Sequence, residues 1–355
     1  MSFKQFQSPQ QKEEKTIKRK IVYKKINEDE KFGRNIAIIA PATYGKSVMA
    51  TAYGYFNSKY ISHLDKDLFP YSIRLLKEGY MPEVERIVIF DLDNNFRKSM
   101  TPSKFKTLLT PLIPIIDVVE FDIPERDVEV VDGKTKSVRI EELLEAKRQV
   151  EDAAKEAIND FDENTLWIID SLSEYYQVLD SMFSIVYEAI YDKEVGAHVK
   201  DQKDWQIRNA WWTEFMKRKR KYRGWQIDTI KAIPIPEQWI KTKTVDRSAD
   251  PFNIKWAEQS GGNAFNLDQV YRLYIDNAGF PYFNLVDGRH KSMIASENMK
   301  IYYPYDVADL SFYMIEHMAK HIIEGAEMKI ENIWSRFNPP EPKKEGGITY
   351  KKVGS

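Results

Sequence analysis

The sequence of 355 residues contains no cysteine, which excludes disulfide bonds and every metal or redox site built on thiolates. It also carries almost no net charge, since 54 acidic residues balance 53 basic ones, so the overall charge predicts neither a nucleic-acid partner nor a membrane surface. No apolar run approaches the roughly 20 residues of a membrane-spanning helix. The first residues are polar and charged, unlike a secretion signal. We therefore expect a soluble cytoplasmic protein with no membrane partner.

The most informative motif lies at residues 40–47, which read Ala-Pro-Ala-Thr-Tyr-Gly-Lys-Ser. The apolar run at 36–39 before it predicts a strand, and residues 48–53 after it predict a helix. A strand, a loop ending in Gly-Lys-Ser and a helix form the arrangement of a phosphate-binding P-loop. The motif usually begins with glycine, and Ala40 stands in that place.

In such a loop the backbone N–H groups surround phosphate oxygens, and the N-terminus of the following helix adds a partial positive charge. Lys46 is predicted to reach the β- and γ-phosphates, Ser47 to hold Mg²⁺, and Gly45 to let the backbone approach closely. The predicted cofactors are therefore ATP and Mg²⁺. The candidate nucleotide-binding residues are Ala40, Pro41, Ala42, Thr43, Tyr44, Gly45, Lys46, Ser47 and Val48.

Acidic residues follow two further predicted strands. The apolar residues 86–90 lead into Asp91 and Asp93, and residues 165–169 lead into Asp170. Carboxylates at the carboxyl ends of strands in an open α/β sheet lie where ligands bind. Asp170 is predicted to hold Mg²⁺ beside Ser47. The alternative role for Asp170 is to cap the helix that follows it.

Residues 91–95 also read like the start of a calcium-binding loop. That loop needs glycine at its sixth position and glutamate at its twelfth, and this chain has Phe96 and Pro102 there. We therefore expect no calcium site.

The order of apolar, helical and turn-forming segments predicts an α/β fold with a mostly parallel central sheet flanked by helices. Residues 1–32 are predicted to be a basic polar arm, 33–298 the core, 299–337 a helical extension and 338–355 a disordered tail. Within the core, we expect strands at 112–116, 118–121, 227–235, 269–276 and 282–286, a hairpin at 127–139, and helices at 140–158, 173–192 and 204–223.

Two local basic segments lie at 15–20 and 217–223. Basic residues beside aromatic ones suit single-stranded nucleic acid, whereas the simpler interpretations are a solvated arm and a helix C-terminus with favourable charges. His317 and His321 are one helical turn apart, but without a third ligand we expect no metal there.

The three strands that end in the P-loop, in Asp91 and Asp93, and in Asp170 resemble the RecA-like branch of P-loop ATPases, including KaiC-type and phage nucleotide-binding proteins. Residues 89–93, Ile-Phe-Asp-Leu-Asp, are similar to the RecA segment that carries the catalytic base. Residues 167–171, Trp-Ile-Ile-Asp-Ser, resemble its metal-binding strand. Residues 266–273 and 282–291 resemble the closing strands of the phage proteins, and the likeness spans about 33–295.

This resemblance implies a RecA-like ATPase in which Asp93, shorter than the usual glutamate, is the catalytic base. It implies that Gln238 senses the γ-phosphate and that Arg289 or Lys291 reaches the ATP of a neighbouring subunit. The implied partners are single- or double-stranded DNA and further copies of the chain, in a hexamer or a filament. The implied task is recombination, annealing, translocation or packaging for a virus or plasmid.

Two other functions stay open at this point. Ala40 and the short Asp93 favour a nucleotide-binding regulator or assembly protein that hydrolyses little ATP. A small-molecule kinase could use the same loop, with a lid within residues 241–247. No motif distinguishes adenine from guanine.

Overall fold

A mostly parallel β-sheet lies at the centre of the described residues. The computed structural model describes residues 33–41, 45–61, 66–67, 69–79, 81–99, 103–124, 128–137, 139–191, 206–231, 233–234, 254–255, 267–275, 281–288, 299–300, 315–316, 318–320 and 322–323. The strands in these ranges are β1 (Asn35–Ala40), β2 (Arg86–Asp91), β3 (Ile116–Glu120), β4 (Val128–Val131), β5 (Lys134–Ser137), β6 (Thr165–Asp170), β7 (Trp225–Lys231), β8 (Ile233–Pro234), β9 (Ile254–Lys255), β10 (Gln269–Ile275), β11 (Pro281–Gly288) and β12 (Met299–Lys300).

The main sheet of the described residues has the strand order β12-β11-β10-β1-β7-β6-β2-β3. The six strands from β10 to β3 are parallel, while β11 and β12 are antiparallel additions at one end. Six parallel strands place their carboxyl ends along one edge of the sheet. The residues that follow β1, β2 and β6 therefore meet at that edge, as expected for an α/β fold.

Helices cover both faces of this sheet. They are α1 (Lys46–Ala52), α2 (Ser58–Ile61), α3 (Pro70–Lys77), α4 (Phe96–Ser99), α5 (Ser103–Leu109), α6 (Ile140–Asp160), α7 (Leu172–Tyr191) and α8 (Gln206–Lys219), with 3₁₀ turns at Tyr53–Tyr55 and Thr110–Ile115. None of the helices in the described ranges is long and apolar enough to cross a membrane.

Two hydrophobic cores follow from the alternation of side chains along the strands. In β6, Leu166 and Ile168 belong to one core, and Trp167 and Ile169 belong to the other. The first core contains residues of α1 and α3, and the second contains residues of α6, α7 and α8. A strand that is buried on both faces needs an unbroken apolar run, which is why such runs predicted β1, β2 and β6 correctly.

A helical segment near the C-terminus packs on the first core. Its buried residues are Ile315, Met318, Ala319, Ile322 and Ile323. The Glu316 carboxylate accepts hydrogen bonds from the backbone N–H groups of Tyr71 (2.7 Å) and Ser72 (2.8 Å) and from the Ser72 hydroxyl (2.6 Å). Glu316 thus satisfies N–H groups in the first turn of α3 that have no partner within the helix.

The structure corrects three predicted elements. Residues 112–116 were predicted to be a strand, but Thr110–Ile115 is a 3₁₀ helix and β3 starts at Ile116. Pro114 within this segment lacks an N–H group, which disfavours a place in a sheet. The strand predicted at 227–235 ends at Lys231, and Ile233–Pro234 pairs with β9 instead.

The helix predicted at 204–223 ends at Lys219, because the chain turns at Arg220 and Lys221 before it enters β7. The predicted hairpin at 127–139 is confirmed: β4 and β5 pair in antiparallel fashion, and Asp132 and Gly133 both have positive φ in the turn.

Candidate functional site

The predicted P-loop connects β1 to α1 at the carboxyl edge of the sheet. Gly45 has a φ of 75° directly before α1, a left-handed conformation that glycine adopts without steric cost. Ala40 is the fully buried last residue of β1 and pairs with Lys231 of β7 in the ladder. At this position Ala40 lies in a strand, where a left-handed conformation is not needed. Ala42, Thr43 and Tyr44 lie outside the described residues.

The Lys46 side chain lies between the loop and the carboxylates that follow β2 and β6. Its Nζ donates a hydrogen bond to the carbonyl oxygen of Pro41 at 2.8 Å. Burial lowers the pKa of Lys46 to about 8, although the negative charges of Asp170 and Asp93 favour its charged form. A partly desolvated ammonium group at this place is well suited to a phosphate.

Asp170 is almost completely buried at the end of β6, with an exposed fraction of 2%. Thr229 of β7 donates its hydroxyl hydrogen to Oδ1 of Asp170 at 2.5 Å. No described residue donates a hydrogen bond to Oδ2. Burial raises the pKa of Asp170, while the nearby hydroxyl groups of Ser47 and Thr229 act in the opposite direction. Asp170 and Ser47, both predicted to hold Mg²⁺, therefore lie close to each other.

Asp91 is the last residue of β2, which pairs with β6, and Asp93 lies two residues after it. The Asp91 carboxylate accepts hydrogen bonds from the backbone N–H groups of Asn95 (3.2 Å) and Phe96 (3.1 Å), and so fixes the start of α4. Burial raises the pKa of Asp91 to about 6, and the neighbouring Asp93 and Asp170 add to this effect. The half-buried Asp93 also accepts a hydrogen bond from the N–H group of Asn95, at 3.1 Å.

The carboxylates of Asp91, Asp93 and Asp170 form one cluster. Each offers an oxygen, and these oxygens all lie within 4.8 Å of one another. The pairing of β2 with β6 sets this arrangement, because Asp91 is directly opposite Asp170 in the ladder. Oxygen donors of this kind, with the Ser47 hydroxyl beside them, fit Mg²⁺.

Two charged residues at this edge were missed by sequence reasoning. Lys231 ends β7, and its positive charge lowers the pKa of Lys46. Glu174 lies in the first turn of α7, and burial raises its pKa. The positive charge of Lys231 lowers this pKa, and the negative charge of Asp93 raises it further. Lys231 lies at this edge because β7 pairs with β1 in the sheet. The sequence alone does not reveal that these two strands are neighbours.

A polar cleft of about 510 Å³ opens beside Asp93. It runs between the loop after β2, the chain after β3 and the first three turns of α7. Its walls include Asp93, Asn95, Pro124, Glu174, Ser181 and Lys231. The cleft is within the size range of sites for small molecules.

The structure brings together most of the predicted nucleotide and metal residues and leaves others undescribed. Gly45, Lys46, Ser47, Asp93 and Asp170 converge at one edge of the sheet. The predicted sensor Gln238 and the predicted neighbour-contacting residues Arg289 and Lys291 lie outside the described residues.

The basic segment at 217–223 lies at the opposite edge of the sheet. Its last residue, Arg223, accepts a hydrogen bond from Gly33, just before β1, at 2.7 Å. Lys219 is fully buried and forms an ion pair with Asp228 of β7, so it is not part of an exposed basic surface. The exposed basic residues of the segment are Lys217, Arg218, Arg220, Lys221 and Arg223.

Comparison with models of known protein families gave no match, and comparison with curated proteins gave no significant match. The functional argument therefore depends on the geometry of the site.

Proposed function

We propose that this protein is a RecA-like P-loop ATPase that binds ATP with Mg²⁺ and hydrolyses it. One observation carries the proposal. The Gly45-Lys46-Ser47 turn at the start of α1 lies against the buried Asp170, whose Oδ2 has no hydrogen-bond partner among the described residues. One site thus combines a loop suited to phosphate, the lysine Lys46, and two candidate Mg²⁺ ligands, the Ser47 hydroxyl and the Asp170 carboxylate.

The residues at this edge divide the work of phosphoryl transfer between them. Lys46 neutralises charge on the transferred phosphate, and Ser47 and Asp170 would hold Mg²⁺, which supplies further positive charge when bound. Asp93 lies close enough to Lys46 to affect its pKa, and it orients the attacking water. Thr229 fixes the orientation of the Asp170 carboxylate through its hydrogen bond to Oδ1.

The proposal includes two kinds of partner. DNA is the proposed macromolecular substrate, and the exposed cations at the end of α8 are the candidate contact surface within the described residues. Further copies of the chain are the second partner, because the resemblance implies that Arg289 or Lys291 completes the site of a neighbour. Activity is then expected to increase with protein concentration as the assembly forms.

The first test is ATP hydrolysis with and without single- and double-stranded DNA, on the wild type and on Lys46→Ala. Loss of the lysine is expected to reduce turnover at least about 100-fold, because phosphoryl transfer depends on positioned charge. Lys155→Ala, an exposed lysine on α6, is the matched control and is expected to keep wild-type turnover. Turnover of Lys46→Ala close to that of the wild type would contradict the proposal.

The cleft beside Asp93 favours a second candidate function, phosphoryl transfer to a small polar acceptor. An acceptor in this cleft would lie next to the residue that otherwise orients water. ATP labelled at the γ-phosphate separates the two functions. Label released as inorganic phosphate without an added acceptor supports hydrolysis, and label transferred to a small molecule supports a kinase.

A further inference from the structure

The carboxylate cluster of Asp91, Asp93 and Asp170 has the spacing of a cation site even without nucleotide. An octahedral cation with bonds of about 2.1 Å places neighbouring ligand oxygens about 3 Å apart and opposite ones about 4.2 Å apart. The three carboxylate oxygens lie within 4.8 Å of one another, so small side-chain rotations bring them to these distances.

The free oxygen of Asp170 is an independent sign of a ligand. Asp170 is 2% exposed, and the described residues provide no hydrogen bond to its Oδ2. A buried carboxylate oxygen without a partner is costly, and such atoms in native proteins commonly face a bound ion or an ordered water. Asp91 can still serve as a ligand, because a carboxylate oxygen that accepts one N–H group keeps a second lone pair.

The local charges indicate the valence of the ligand. Three carboxylates form this cluster, and the positive charge of Lys46 interacts with the negative charges of Asp93 and Asp170. When all four groups are ionised, two negative charges remain, which one divalent cation neutralises. The other cation at this edge, Lys231, acts on the carboxylate of Glu174.

We infer that the cluster of Asp91, Asp93 and Asp170 binds one divalent cation of the Mg²⁺ and Mn²⁺ class in the absence of nucleotide. The biological role of this metal site rests on the proposed ATPase function. The metal would already be bound when ATP arrives, and Asp93 would act as a metal ligand before it orients the attacking water.

The test is a titration of nucleotide-free protein with Mn²⁺, in which electron paramagnetic resonance measures the free ion. One saturable site is expected, and Mg²⁺ should displace Mn²⁺ from it. Asp93→Asn is expected to raise the Kd for Mn²⁺ at least about tenfold, because the amide that replaces the carboxylate is a much weaker ligand. Asp93 is half-buried, so this variant is expected to fold, and thermal unfolding without metal checks that it does.

An exposed carboxylate gives the test its control. Asp152→Asn makes the same chemical change at an exposed position of α6 and should leave the Kd for Mn²⁺ as in the wild type. An Asp93→Asn variant that binds Mn²⁺ as tightly as the wild type would overturn the inference, and so would the absence of a saturable site in the wild type.

The inference and the proposed function can fail separately. ATP hydrolysis that requires Lys46, together with no Mn²⁺ binding to nucleotide-free protein, would overturn the inference and leave the ATPase intact. Saturable Mn²⁺ binding that requires Asp93, together with no binding of ATP, would support the metal site and contradict the ATPase.

Discussion

The buried ion pair between Lys219 and Asp228 gives a prediction whose size follows from the structure. Both side chains have an exposed fraction of 0%, and Oδ1 of Asp228 has no hydrogen-bond partner among the described residues. In Lys219→Met the carboxylate of Asp228 would stay buried without the cation that it pairs with among the described residues. Breaking a buried pair in this way costs about 3–5 kcal/mol, compared with a typical total stability of about 5–15 kcal/mol.

Urea unfolding followed by circular dichroism measures this cost. The control is Lys217→Met, which makes the same change at an exposed position of the same helix and should alter the free energy of unfolding by less than about 0.5 kcal/mol. The double variant Lys219→Met/Asp228→Leu removes both charges and should recover most of the lost stability, because an apolar pair of similar volume can replace a buried ion pair.

Two results would refute this reasoning. A loss below about 1 kcal/mol in Lys219→Met would mean that Asp228 reaches water or takes up a proton at little cost. A double variant that is less stable than Lys219→Met would mean that Asp228 has another partner in the fold. The prediction also affects work on the basic segment, because a variant that neutralises all its cations would destabilise the protein through the loss of Lys219.

Three further predictions concern the site and the basic surface. Burial lowers the pKa of Lys46 to about 8 in the nucleotide-free protein, and bound phosphates favour the charged form of this side chain. The affinity for ATP, measured by calorimetric titration, should therefore fall as the pH rises above 8. The Lys46→Gln variant should lack this pH dependence. Thr229→Val leaves Oδ1 of Asp170 without a donor and should cost about 1–3 kcal/mol in urea unfolding, whereas an unchanged stability would contradict the hydrogen bond. The triple variant Lys217→Gln/Arg220→Gln/Lys221→Gln removes three exposed positive charges of the basic segment, and it should bind single-stranded DNA more weakly and with a smaller salt dependence. Its ATP hydrolysis without DNA should equal that of the wild type. Salt-dependent DNA binding that is unchanged in this variant would exclude the segment as the DNA contact.

Local patterns predicted the parts of the fold that depend on neighbouring residues. The apolar runs identified β1, β2 and β6, and Asp-Gly identified the turn of the hairpin. The meeting of Asp91 with Asp170 could be predicted as well, since parallel strands bring their carboxyl ends to one edge. The strand predicted at 112–116 was wrong because its apolar pattern outweighed Pro114 in the prediction.

The burial of Lys219 had a signal in the sequence that the prediction did not use. Trp212, Phe215, Met216 and Lys219 are spaced by three, one and three residues, which puts them on one face of a helix. All four are buried in the structure. Treating 217–223 as one basic segment grouped residues by charge, whereas the helical period separates Lys219 from its exposed neighbours.

The role of β7 could not be predicted, because it depends on strand order. This strand lies between β1 and β6, and its successive side chains face opposite sides of the sheet. Asp228 therefore points to the side of α8, where it meets Lys219, and Thr229 points to the other side, where it meets Asp170. Polar residues within a fully buried strand need such partners. The adjacent Asp and Thr thus indicate that β7 has a polar neighbour on each side, but only the fold shows that one of these neighbours is the candidate metal ligand.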